Sequence, residues 1–232
     1  MIISAILSGN VKEAIIMMLM WLPIILLSLS LHESMHAYAA YKMGDPTARN
    51  FGRVTLNPLK HLDPIGFAAM LLVGFGWAKP CPVNARNFEN PRKGMALTAL
   101  AGPVSNLLLA VIFAIFASLT LFISSLITIT TEAAFLTIYY TYIFFYYGVF
   151  LNVSLAIFNL LPVPPLDGSR ILGLLLPPKM YFSYMRYERY IGIAFMVAVI
   201  VLGRMGISVI SWAVEPITDG ILWLAGETGW TL

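Results

Sequence analysis

The apolar residues of this chain come in long blocks separated by short polar stretches, with little regular alternation between the two. A block of roughly 20 apolar residues can cross a bilayer as a helix. Residues 14–43 make the first such block. It ends in Gly44-Asp45-Pro46, a sequence that stops a helix. Residues 94–125 make the second, residues 133–161 the third, and a fourth begins near Tyr190. The apolar stretch before Asn10 is too short to span, and we read the first block as an uncleaved membrane helix. Residues 64–78, PIGFAAMLLVGFGWA, are apolar but short for a crossing helix. Before them, residues 52–56 alternate enough for a short strand, and Gly74-Phe75-Gly76 suits a tight turn or a strand edge. The pattern predicts an all-α integral membrane protein with about four long transmembrane helices. It adds a re-entrant segment with short β elements. Residues 1–232 read as one membrane-embedded domain, without repeats or an appended soluble module.

Composition agrees with that class. The chain is 59% hydrophobic and 11% charged, against roughly 25% charged for a soluble domain. The net charge of +3 reflects cytoplasmic loops and implies no nucleic-acid partner. Twelve of the 14 basic residues lie in residues 42–93 and 170–189. Placing those stretches in the cytoplasm fixes a multi-pass topology in the cell membrane. Lys42, Arg49, Arg53 and Lys60 precede the short segment, and Lys79, Arg86, Arg92 and Lys93 follow it. Both its ends therefore belong on one side, so it enters the membrane and returns. Non-helical backbone at that depth survives inside protein or beside a wet cavity, which predicts that this segment lines a site. A single cysteine, Cys81, allows no internal disulfide and reads as a plain thiol.

The chemistry is concentrated at the inner end of the first helix, in His32-Glu33-Ser34-Met35-His36. Histidines four apart share one helix face, so their imidazoles can point at one metal ion. Glu33, next to the first of them, can take a proton from water at that metal; H-E-x-x-H is a zinc-protease signature for this reason. A catalytic zinc takes three protein ligands. No third histidine extends the motif, because Ala39 and Lys42 follow. A carboxylate must serve. Asp45 is too close along the chain, Asp219 lies on the predicted outer side, and Asp63 is an alternative. Asp167 is the best placed, since it follows the third helix at its inner end. Asn106 falls within the second apolar span, where it either faces the site or bonds a neighbouring helix.

Three motifs in this order carry a resemblance. His32-Glu33-x-x-His36, Gly102-x-x-x-Asn106, and the stretch from Asn159 through Pro162 and Pro165 to Asp167-Gly168 resemble the site-2 protease family of intramembrane zinc metalloproteases, over roughly residues 25–175. The resemblance implies one zinc per chain held by His32, His36 and Asp167. Glu33 is then the catalytic base, and Asn159 and Asn106 are active-site polar groups. It also implies an extended transmembrane substrate, protein or peptide, beside the segment at residues 74–76. The active site would face the cytoplasmic side. The chain departs from larger members in lacking a PDZ insertion and a CBS module. The rival readings are an inactive relative or a metal-binding transport protein. A transporter usually shows repeated halves, and none are found in this sequence.

Overall fold

The computed structural model describes residues 11–73, 76–205 and 209–226. The described residues are mostly helical, with no sheet. They divide into two units, Met1–Gly102 and Pro103–Leu232. In the first unit α1 runs Val11–Lys42, with Pro23 inside it. A short helix follows, α2 (Thr47–Asn50), then α3 (Pro64–Val73). The long helix α4 (Pro91–Leu126) begins in this unit and continues without a break into the next.

Among the described residues, three helices are long and apolar enough to cross a membrane: Ile15–Lys42 within α1, Pro91–Leu126 and Glu132–Leu160. Their surfaces are inverted relative to a soluble protein. On α1 the buried positions include Ser28, His32, His36 and Ala40, a series at four-residue spacing, while Leu19, Leu27 and Tyr38 are exposed. On α4 the bulky residues Leu97, Leu108, Ile112, Ile115 and Phe122 face outward. Ala96, Ala99, Ala110, Ala114 and Ala117 are buried. Large apolar residues outside, over an interior rich in small and polar ones with Ile24, Leu109, Phe113 and Leu121 among them, suit a helix solvated by lipid.

α1 stops where the sequence predicts. Gly44 adopts φ 106°, and the Asp45 N–H returns to the Ala40 carbonyl at 2.9 Å. Only glycine takes that backbone without strain. The Asp45 side chain is fully buried. It accepts from Asn84 N–H (2.7 Å), from the Asn87 amide (2.6 Å) and from the hydroxyl and N–H of Thr47. Burial pushes its carboxyl pKa up. The Thr47, Asn84 and Asn87 bonds outweigh this and hold it below its ordinary value.

The short apolar segment does come back on itself. Leu62 and Ala78 pair as an isolated antiparallel bridge, and the Lys79 N–H donates to the His61 carbonyl at 2.7 Å. Between them the Asp63 carboxylate caps α3, accepting from the N–H groups of Ile65 and Gly66. The Arg53 guanidinium ties the mouth, donating to the carbonyls of Lys60 (2.7 Å), Lys79 (3.3 Å) and Pro80 (3.5 Å). Residues 52–56 form no strand. Gly52, at φ 67°, closes the turn after α2, and the Thr55 carbonyl meets the buried His61 ring at 2.8 Å. Of the predicted tight turn, Gly74 and Phe75 lie outside the described residues, as do residues 1–10.

In the second unit α5 (Glu132–Leu160) opens on a Thr131 cap. It is followed by α6 (Asp167–Leu175), α7 (Pro178–Arg186), α8 (Glu188–Arg204) and α9 (Val209–Leu224). The predicted fourth long helix is thus α8, of 17 residues. α5 packs on α9 and α6. Phe113 fills the space left by Gly148 and lies among Phe144 and Phe145. α8 is joined to α6 by an Arg170–Glu188 ion pair at 3.1 Å.

Candidate active site

The site begins with the inner face of α1. Helical spacing brings the rings of His32 and His36 edge to face, with centroids 4.5 Å apart and planes at 89°. Their Nε2 atoms face one another at 2.9 Å. Both side chains are buried. His36 Nδ1 lies 2.7 Å from the Thr98 carbonyl. A carbonyl can only accept, so Nδ1 carries the hydrogen and Nε2 keeps its lone pair. A hydrogen on His32 Nε2 donated to that lone pair accounts for the approach, and the same two nitrogens are placed to share a metal ion. Two nitrogens on a tetrahedral zinc stand roughly 3.3 Å apart, given Zn–N bonds of about 2.05 Å. The observed pair is within about half an ångström of that.

The first turns of α4 close on these rings. A Cβ built on Gly102 would stand 2.5 Å from His36 Cε1 and Nε2 and 2.6 Å from His32 Cε1. Glycine here lets α4 backbone approach the imidazoles, a role that sequence reasoning missed. Its signal was the Gly102-x-x-x-Asn106 spacing, one of the three motifs that carry the resemblance. Glu33, between the histidines, is half-buried. Cys81 is half-buried and makes no disulfide.

In the second unit Asp167 is the first residue of α6. Gly168 lies against the carbonyls of Leu160 and Leu161, where a Cβ would collide with backbone. This contact returns the start of α6 to the end of α5. Asn106 is fully buried and its amide donates to Asn152 Oδ1 at 2.8 Å; Asn152 in turn donates to the Gly148 carbonyl at 2.8 Å. Asn152 is a polar partner that sequence reasoning passed over. The Asn159 amide donates to the Leu155 carbonyl of its own helix at 2.9 Å. The alternative ligand Asp63 is occupied as the α3 cap.

Helices long and apolar enough to cross a bilayer, one of them carrying a buried histidine pair with a glutamate beside it, define a membrane-embedded zinc metallopeptidase. The chain belongs to peptidase family M50, whose profile matches residues 20–202. It is similar to a candidate zinc metalloprotease of Bacillus subtilis, YwhC, with 46% identity over 173 residues. That match covers 75% of this chain and 76% of the relative. It is also similar to candidate zinc metalloproteases named Rip2 from Mycolicibacterium smegmatis (31% identity) and Mycobacterium tuberculosis (30%). Each of these matches covers 66% of this chain, and the chain spans 56% of those relatives' length. No solved structure matches the chain.

Proposed function

We propose that this chain is an intramembrane endopeptidase that cuts transmembrane protein or peptide substrates, with one zinc held by His32, His36 and Asp167. The observation that carries this is the buried Nε2 pair at 2.9 Å, with α4 backbone admitted against it by Gly102. Asp167 adds the carboxylate that two neutral imidazoles need beside a dication. It is the aspartate left once Asp45 and Asp63 are accounted for by their hydrogen bonds and Asp219 by its place on the predicted outer side. When bound, the zinc supplies Lewis acidity, which makes water nucleophilic near neutral pH and polarises a peptide carbonyl.

The chain's own residues do the rest. Glu33 takes a proton from the attacking water and delivers it to the leaving amine. Asn106 and Asn159 are the amides available to the developing oxyanion. The Asn106 side chain is oriented by Asn152. An edge beside Gly76 holds the substrate extended, because a helical substrate hides its carbonyls in its own hydrogen bonds. We read the chain as a single catalytic domain with four crossing helices and α3 re-entrant. Both flanks of α3, and the site, then face the cytoplasm. The basic residues flanking α3 and the Leu62–Ala78 bridge support this.

The test measures zinc content and cleavage on one purified variant, Glu33→Gln. The amide keeps the size but cannot accept the proton. About one zinc per chain with cleavage lost is the expected outcome. Zinc retained with near-normal cleavage removes Glu33 as the base.

A further inference from the structure

A cavity of about 630 Å³ lies at the mouth of the α3 hairpin. Its eight lining residues include three cations, Arg53, Lys60 and Lys79, and no acid. We propose that this cavity binds an anionic phospholipid, taking the headgroup phosphate between these three cations. The proposal rests on the membrane reading above.

Arg53 carries the argument. It is 6% exposed, and no carboxylate pairs with it among the described residues. Its three bonds all go to backbone carbonyls. These fix the guanidinium in place and leave its charge uncancelled. A guanidinium has five N–H donors, so two remain. A buried cation is normally paired, and the planar fork suits phosphate. Lys60 and Lys79 stand at the same cavity with exposed side chains and no ion pair among the described residues. The occupant must therefore bring negative charge.

The rest of the wall says which anion. Phe51 and Leu59 line the same cavity and are 69% and 79% exposed. Free phosphate has no use for them. A phospholipid does, since its glycerol and acyl chains continue from the phosphate as apolar surface. The cavity also sits where the short apolar helix α3 starts and the chain returns, among basic residues of the kind that meet anionic lipid at the cytoplasmic surface.

Native mass spectrometry of the full chain in detergent tests this, with phosphatidylglycerol, phosphatidylcholine and inorganic phosphate as separate probes. We expect one tightly held phosphatidylglycerol per chain. The Lys60→Ala/Lys79→Ala variant should weaken it about tenfold or more. Lys179→Ala/Arg186→Ala, which removes the same charge from α7, should change it less than twofold. Arg53→Lys keeps the charge and loses the fork, and should weaken binding while the zinc content is unchanged. Equal losses in the two double variants would reduce the effect to bulk charge and overturn the site. So would phosphatidylcholine binding as well as phosphatidylglycerol, or inorganic phosphate blocking the site at the lipid's own concentration. Should the double variant misfold, the single changes Lys60→Gln and Lys79→Gln carry the comparison. A chain that stays in membranes through an alkaline wash but shows no lipid selectivity refutes the cavity alone. A chain that washes out refutes the membrane reading beneath it.

Discussion

At the scale of single residues the site depends on what is small as much as on what is charged. Gly102 has no room for a methyl group: a Cβ there meets both imidazoles. Gly102→Ala should therefore push the histidines apart and cost zinc as well as cleavage. Overpacking of this kind typically destabilises by about 1–3 kcal/mol. Zinc analysis beside a thermal midpoint separates a lost site from a lost fold; full zinc occupancy would show that α4 can retreat. Asp167 is tested by removal. Asp167→Ala should lose most of its zinc while keeping its helical content, and undiminished zinc would move the third ligand elsewhere. H-E-x-x-H was legible in the sequence because ligand spacing is a local property of a helix. The Thr98 carbonyl was not legible, because every residue has a carbonyl and only packing selects one.

At the scale of elements the polar stretch after α1 is built as a set of buried polar ties. Asp45 joins the end of α1 to the turn at residues 84–87, and Arg53 closes the α3 hairpin. Asp45→Ala removes the charged acceptor of the Asn84 N–H, the Asn87 amide and Thr47, at a cost of about 1–3 kcal/mol, read from the unfolding midpoint in detergent. The pH dependence has a definite sign. The folded carboxyl is held below its unfolded value of about 3.9. Its contribution is thus complete above about pH 5 and is lost as pH falls through the folded value, and Asp45→Asn should flatten that acid limb. The hairpin makes a topological prediction too. With Cys81 replaced, cysteines at Asn57 and Glu89, both exposed, should label from the same side of the membrane. Opposite sides would sink the re-entrant reading. The basic residues on both flanks announced the return of α3. The cap by Asp63 was hidden, because an aspartate reads equally as ligand, cap or turn until its neighbours are known.

At the scale of the whole molecule a ligand that binds only the folded chain adds to its stability by mass action. Metal removal with a strong chelator should lower the unfolding midpoint, by an amount equivalent to about 3–4 kcal/mol when zinc had been well above its dissociation constant. Returning zinc should restore both midpoint and cleavage; a midpoint indifferent to the chelator would argue against a structural share for the metal. The order of residues is enough to set the class of solvent, since the lengths of the apolar blocks set helices that only a bilayer can cover. It also determined the ends of those helices within a few residues and the pair of histidines, because period and spacing are local. It took packing in three dimensions to show that residues 52–56 stay out of a strand, that Asp45 and Asp63 are spent on hydrogen bonds to nearby backbone and side chains, and that Asn106 is bound to Asn152. The physical reason is the same in each case. A buried polar group takes whichever partner packing brings within hydrogen-bond reach, and the chain's linear order does not record that distance.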